Sequence, residues 1–266
     1  LLDAAFKTAD QSPLGSAVGF GSSFPIDRNF TKDEMKFKYL KVNSLASQIS
    51  RGKIEKSISL DDAALFGCAV MTGVGAVINT ARIRSGDSVA ILGLGGVGLN
   101  GIMGAKLGGA ETIIGIDIDE TKFSKAKELG ATHCMNPQNE NFVEEVLDTT
   151  NGGVDFAIDL AGVMSAMDSA YKIIRYGGAV VTAGLTPVNT QFSFNHSDLV
   201  AQEKSILGSY MGSCVPVRDV PRFLNLFKQG RLPVEKLIDD KIGFDQLNEG
   251  FDKLDSGKVI RQILVP

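Results

Sequence analysis

The chain has 266 residues, 44% of them hydrophobic and 22% charged, with a formal net charge of −4. That length suggests one or two domains with an ample core, and the composition is that of an ordinary soluble globular protein. The acidic balance offers nothing to nucleic acid or an anionic membrane, no apolar run reaches transmembrane length, and no signal peptide is expected at the start.

Three widely spaced cysteines, Cys68, Cys134 and Cys214, fit a reducing cytosol better than a disulfide framework, so a cytoplasmic location is expected. Asn29-Phe-Thr and Asn195-His-Ser match the glycosylation pattern, and without a secretion signal both read as chance. The first residue is Leu1 rather than Met, which suggests that part of the natural protein is absent.

Residues 1 to about 50 show no clean alternation, only a Gly/Ser-rich stretch from Gly15 to Ser23 and mixed charge from Lys32 to Lys38. From Leu60 the signal sharpens. Asp61 to Phe66 suggests a short helix, and Thr72 to Thr80 another whose small residues permit close packing. A regular alternation comes next. Strands are predicted at 88–93, 112–117, 132–135, 155–159, 178–183 and 205–210, and helices at 96–108, 120–129, 140–148, 163–174 and 217–229. Short apolar runs between amphipathic stretches imply βαβ units and a parallel sheet covered on both faces. Past about Gly212 the pattern changes. A helix to Gln229, a break at Gly230-Arg-Leu-Pro233, a helix over Phe244–Leu254 and a strand over Val259–Leu264 suggest a separate structural unit.

The strongest motif lies inside the alternation. Ser88-Val-Ala-Ile-Leu-Gly-Leu-Gly-Gly-Val-Gly98 reads as a strand, a glycine turn and a helix start, and Ile113-Ile-Gly-Ile-Asp117 ends the next strand on an acid. Gly93, Gly95 and Gly98 form G-x-G-x-x-G, with Asp117 at the spacing of the dinucleotide fingerprint. Gly93 turns the chain sharply, Gly95 lets backbone approach a pyrophosphate, and Gly98 lets the helix pack on the sheet. Amides near Gly96 and Val97 are orphaned by the helix start and point at phosphate. Asp117 is placed to accept from the adenine-side ribose hydroxyls. Its charge opposes a 2′-phosphate by about 4 kcal/mol at 4 Å and an effective dielectric near 20, so NAD is favoured over NADP. The plainer readings are a βα turn without ligand, or a methyltransferase nucleotide site with the same glycine turn and acid.

Leu65-Phe-Gly-Cys-Ala-Val-Met-Thr-Gly73, the glycine turn, Asp117-Ile-Asp-Glu-Thr-Lys122, Lys127-Glu-Leu-Gly-Ala131, Gly208-Ser-Tyr-Met-Gly-Ser213 and Gly257-Lys-Val-Ile-Arg261 together resemble the medium-chain, zinc-type alcohol dehydrogenase family over about Lys53–Pro266. The resemblance implies an α/β fold. A Rossmann-type doubly wound sheet spans residues 76–212, and partial GroES-like catalytic regions span 1–75 and 213–266. It implies a cofactor set of Thr72, Gly93, Gly95, Gly96, Val97, Gly98, Asp117, Lys122, Thr182, Ala183, Gly184 and Arg261 around NAD, with Cys68 as one ligand of a catalytic zinc. It also implies a small alcohol or carbonyl substrate and a homodimer or homotetramer that continues the sheet near Ile206–Met211.

The departures are as informative. A catalytic zinc takes three protein ligands and an open position. This chain has no Gly-His-Glu, no cysteine before Cys68, and none of the family's four closely spaced structural cysteines. Its only histidines, His133 and His196, fall in the coenzyme region. Adjacent His133 and Cys134 point to opposite faces of a strand, so joint ligation is not expected. His196 reads as a solvated loop residue and Cys214 as structural or incidental, while Asp159 reads either as an acid near the cofactor or as a helix cap or solvated acid. No Ser/His/Asp arrangement suits a hydrolase.

The reading is an NAD-dependent alcohol dehydrogenase, zinc-assisted in the intact protein. The alternatives are a zinc-free NAD(P)H-dependent quinone or enone reductase, or a dinucleotide-binding module without catalysis.

Overall fold

A computed structural model describes residues 58–265 apart from residue 188. The part of the expected catalytic region before residue 58 lies outside the described residues. In chain order the elements are α1 (Leu60–Ala64), α2 (Ala69–Gly75), β1 (Ser88–Leu92), α3 (Gly96–Gly108), β2 (Thr112–Ile116), α4 (Phe123–Leu129), β3 (His133–Met135), α5 (Phe142–Thr149), β4 (Val154–Asp159), α6 (Met164–Ile173), β5 (Ile174–Thr182), α7 (His196–Ala201), β6 (Ser205–Gly208), α8 (Pro216–Lys228), β7 (Ile238–Ile242), α9 (Leu247–Asp255) and β8 (Arg261–Leu264).

The chain divides into two compact units. One is Ala69–Cys214, and the other combines residues 58–68 with residues 215–265. The boundary after Cys68 lies seven residues before the expected residue 75. The physical reason is that α2 packs on α3, where a Cβ on Gly73 would overlap the Val97 carbonyl oxygen.

In the first unit six strands form one parallel sheet in the order β3-β2-β1-β4-β5-β6, the doubly wound arrangement with its reversal between β1 and β4. Val89, Ala90, Ile91 and Leu92 are all buried because both faces are covered. Alternation assigns the faces. Ala90 and Leu92 join Ile114, Ile116, Phe142, Val146, Met167 and Val180 in one core cluster on the α5–α6 side. Ile91 points the other way, where its side chain lies 3.3 Å from the Cβ position of Gly101 on α3. Helix α3 is apolar nearly all round, as befits a helix enclosed by sheet and neighbouring helix.

The register aligns the carboxyl ends of the strands. Leu92 lies opposite Ile116 and Asp159, Asp159 opposite Thr182, and Thr182 opposite Gly208. The residues just past these positions therefore share one edge of the sheet.

Several predicted boundaries move. Strand β6 ends at Gly208 rather than residue 210, because Met211, Gly212 and Ser213 take left-handed φ values of 48°, 67° and 49°. Helix α2 continues through a π-helical turn over Ala76–Ala81, where Thr72–Thr80 was predicted as one helix. His196 opens the short helix α7, capped by the Asn195 side chain, rather than lying in a loop.

In the second unit Phe66 and Phe227 pack edge to face, and β7 pairs with β8 in parallel. Strand β7 was not foreseen. Its sequence Ile-Asp-Asp-Lys-Ile exposes three charged residues between its two isoleucines, which hides the strand pattern.

Among the described residues no helix is long and apolar enough to cross a membrane.

Candidate functional site

The glycine turn after β1 is where sequence and geometry meet most directly. Gly93 has φ +89°, a value that disfavours any side chain. A Cβ there would also lie 2.9 Å from the Ala161 Cα on the loop after β4. Gly95 caps α3 in an extended conformation, and a Cβ built on it meets nothing within 4 Å, so the space over the helix start is open. A Cβ on Gly98 would overlap the Gly93 carbonyl oxygen, so the first turn of α3 folds directly back on the strand end. The result is a helix N-terminus of 13 residues with bare backbone at its mouth, an arrangement that attracts an anion through orphaned amides and the helix dipole.

Asp117 sits just past β2 beside this turn and is 8% exposed. Its Oδ2 accepts from the Leu94 amide at 2.7 Å, and its Oδ1 from the Asp119 amide at 2.9 Å. Lys122 Nζ donates to both oxygens at 3.1 Å. A carboxylate offers about four acceptor positions, and these contacts engage all of them. The carboxylate therefore ties the glycine turn to the loop after β2. A diol that approached it would take over the positions now held by the Lys122 ammonium.

Thr182 ends β5, and Ala183 and Gly184 follow it, on the same sheet edge. The Ala183 and Gly184 amides both donate to the Asp159 carbonyl, at 3.0 and 3.2 Å, and the Thr182 carbonyl accepts from the Ser209 amide at 2.8 Å. Thr72 is buried in α2, one residue from the point where that helix meets Val97, which is itself half-buried. Of the predicted cofactor residues, the structure brings Gly93, Gly95, Gly96, Val97, Gly98, Asp117 and Lys122 into one cluster. It sets Thr72 beside that cluster and Thr182, Ala183 and Gly184 along the same edge.

Cys68 and Arg261 belong to the second unit. Burial holds the Arg261 guanidinium below its usual pKa, and the Cys68 sulfur opposes that shift electrostatically. Among the described residues no group of three His, Cys, Asp or Glu side chains could hold a metal, so they do not fit the zinc expected around Cys68. Open backbone over Gly95 does fit a diphosphate.

Two residues were undervalued in the sequence. Leu94 supplies the amide that fixes Asp117, a role that any side chain would allow, so no sequence signal reveals it. Asp159 is neither solvated nor a helix cap. It is 1% exposed, and α6 starts after Val163 with no side-chain cap. Its position as an acid ending an apolar central strand was the available signal. Cys214 is structural, since its sulfur accepts from Asn79 Nδ2 at 3.3 Å and donates to the Met71 carbonyl at 3.4 Å.

Residues 96–229, just over half of the chain, match the family model described as zinc-binding dehydrogenase. Solved structures agree. An alcohol dehydrogenase zinc-binding domain protein from Burkholderia ambifaria is 32% identical with a TM-score of 0.78, over 81% of this chain and 58% of that one. Benzyl alcohol dehydrogenase from Acinetobacter calcoaceticus is 30% identical with a TM-score of 0.78, over 80% and 59%. A protein described as a zinc-binding dehydrogenase from Sinorhizobium meliloti, bound to NADP, is 27% identical with a TM-score of 0.66, over 76% and 59%. The chain thus spans about three fifths of the length of these relatives. Its doubly wound sheet, its glycine turn and its matched sequence make it a member of the zinc-binding dehydrogenase family of oxidoreductases.

Proposed function

We propose that this chain forms the coenzyme-binding part of an NAD-dependent alcohol dehydrogenase, which interconverts an alcohol and an aldehyde or ketone. The observation that carries this reading is the open helix N-terminus at Gly95 with the Asp117 carboxylate tied to the same turn through Leu94. The amides at the start of α3 would grip the pyrophosphate, and Asp117 and Lys122 would hold the adenine-side ribose. The other nucleotide would then extend toward β4, β5 and β6, past Val97 and Thr72 to the Thr182–Gly184 strand end. Arg261 is proposed as a further pyrophosphate ligand. When bound, NAD supplies the hydride acceptor; the protein's part is to orient the reacting carbon and exclude water. Cys68 would be a zinc ligand only with donors from outside the described residues.

A second reading is a zinc-free, NAD(P)H-dependent reductase of quinones or enones. Lys122 favours its NADPH part, because the ammonium offsets the charge with which Asp117 would repel a 2′-phosphate. The NADP-bound relative, itself described as a zinc-binding dehydrogenase, supports the choice of nucleotide alone.

The proposed cellular form is a cytoplasmic homodimer or homotetramer acting on a small molecule, without nucleic acid or membrane as partner. Titration with NADH and with NADPH, alongside metal analysis and alcohol turnover, tests these readings together. Preference for NADH with alcohol oxidation supports the first, and tight NADPH binding without zinc supports the second. Failure to bind either nucleotide overturns both.

A further inference from the structure

Asp159 is a buried acid that the proposed binding roles do not use. Its Oδ2 accepts from Thr182 Oγ1 at 2.9 Å, and its Oδ1 from the Ala161 and Gly162 amides at 3.1 and 3.4 Å. Its own carbonyl accepts from the Ala183 and Gly184 amides. One residue thus holds both the loop after β4 and the strand end of β5. The two segments approach so closely that a Cβ on Gly184 would overlap the Gly162 backbone and lie 3.2 Å from Asp159 Oδ2. Burial pushes the Asp159 carboxyl above its usual pKa against the opposing hydrogen bonds.

We infer that Asp159 is a positioning residue that clamps the Ala161–Gly162 loop to the Thr182–Gly184 strand end and thereby shapes the nicotinamide end of the coenzyme cleft. This rests on the dinucleotide reading of the glycine turn. With the adenine-side ribose at Asp117 just past β2, the second nucleotide crosses the reversal at β1 and β4 and lies over β4 and β5, where Asp159 sits.

The test compares NADH with ADP-ribose, which keeps the adenosine, diphosphate and second ribose but lacks the nicotinamide ring. On the full chain, Asp159→Ala is expected to weaken NADH about tenfold while leaving ADP-ribose within about twofold, the loss of one buried hydrogen-bonding centre. Asp159→Asn is expected to restore NADH binding and its bound-state fluorescence, because the amide oxygen still accepts from Ala161 and Gly162 and the amide nitrogen donates to Thr182 Oγ1. Should Asp159→Ala fail to fold, Thr182→Val removes one arm of the clamp and is expected to show the same selective loss. Equal weakening of both ligands, or no change in NADH, overturns the inference while the coenzyme reading stands. A wild-type chain that binds neither ligand overturns both.

Discussion

Gly98 is packed against Gly93 so tightly that a single methyl group on the former would occupy the carbonyl oxygen of the latter. This contact sets the distance between the end of β1 and the start of α3, and so the width of the open mouth at Gly95. Gly98→Ala is expected to destabilise the chain by about 1–3 kcal/mol through forced displacement of backbone. It is also expected to weaken NADH and ADP-ribose together, since both carry the diphosphate. Thermal unfolding with parallel titrations checks it. A variant of unchanged stability and affinity would mean that the helix start is free to shift.

Asp117 faces a different test, because Lys122 already lies 3.1 Å from both its oxygens. Removing the carboxylate frees the Leu94 amide of its partner and leaves the Lys122 ammonium near the ribose position. Asp117→Ala is expected to lower NADH affinity about tenfold, the cost of a lost charged acceptor. The same change is expected to raise NADPH affinity relative to NADH, because a 2′-phosphate would then meet a cation without the opposing anion. An unchanged ratio of the two nucleotides would place the ribose elsewhere.

Strand β4 carries two acids that respond to pH in opposite directions. Burial pushes the Asp155 carboxyl up, but hydrogen bonds from the Ser88 amide and hydroxyl and from Arg175, with the Arg175 charge, outweigh it and hold the pKa down. A lowered folded pKa gives stability that is present above the unfolded value of about 3.9 and lost as pH falls through the folded one. Asp155→Asn is therefore expected to cost about 1–3 kcal/mol at neutral pH, with the difference from wild type shrinking in acid. Asp159 has the reverse sign. Its raised pKa gives a contribution complete below about pH 3.9 and lost as pH rises through the folded value. Asp159→Asn is expected to stabilise the chain near neutrality, and that gain is expected to vanish in acid. Denaturant unfolding at several pH values separates the two, and parallel curves for both variants would refute the assignment.

The sheet was largely legible because its strands are short, apolar and bounded by turn residues. Val-Ala-Ile-Leu and Ile-Ile-Gly-Ile each fill a double-sided core, and the glycine turn after the first of them marks the start of α3. The cluster at Gly93, Gly98 and Asp117 was legible because the two glycines leave no room for a Cβ and the acid directly follows an apolar strand. Three features were hidden by physics that leaves no local pattern. Strand β7 faces solvent over most of its length, so its charges read as loop. The left-handed run at Met211–Ser213 is braced from afar by Thr80 hydrogen bonds to Ser209 and Ser213, at 2.7 and 2.9 Å. Asp159 gained its partners from a loop and a strand some 2 and 23 positions later, a juxtaposition that only the register of β4 and β5 creates.

The edge of the sheet supplies the last prediction. Strand β6 pairs with β5 on one side, and among the described residues no strand pairs with its other edge. Ile206 packs toward the core cluster, while Leu207 is 38% exposed on the opposite face. An unpaired edge with an apolar residue is a pairing hazard in a monomer and a ready interface in a dimer. With only four residues, Ser205–Gly208, the edge offers few backbone hydrogen bonds, so side chains such as Leu207 must supply much of the contact. Sedimentation at micromolar concentration is expected to give a dimer or tetramer, and Leu207→Lys is expected to shift it toward monomer while the circular dichroism of the folded chain stays unchanged, with any fall in unfolding temperature tracking protein concentration. A monomeric wild type, or a Leu207→Lys variant that associates as strongly, would rule out assembly through this edge.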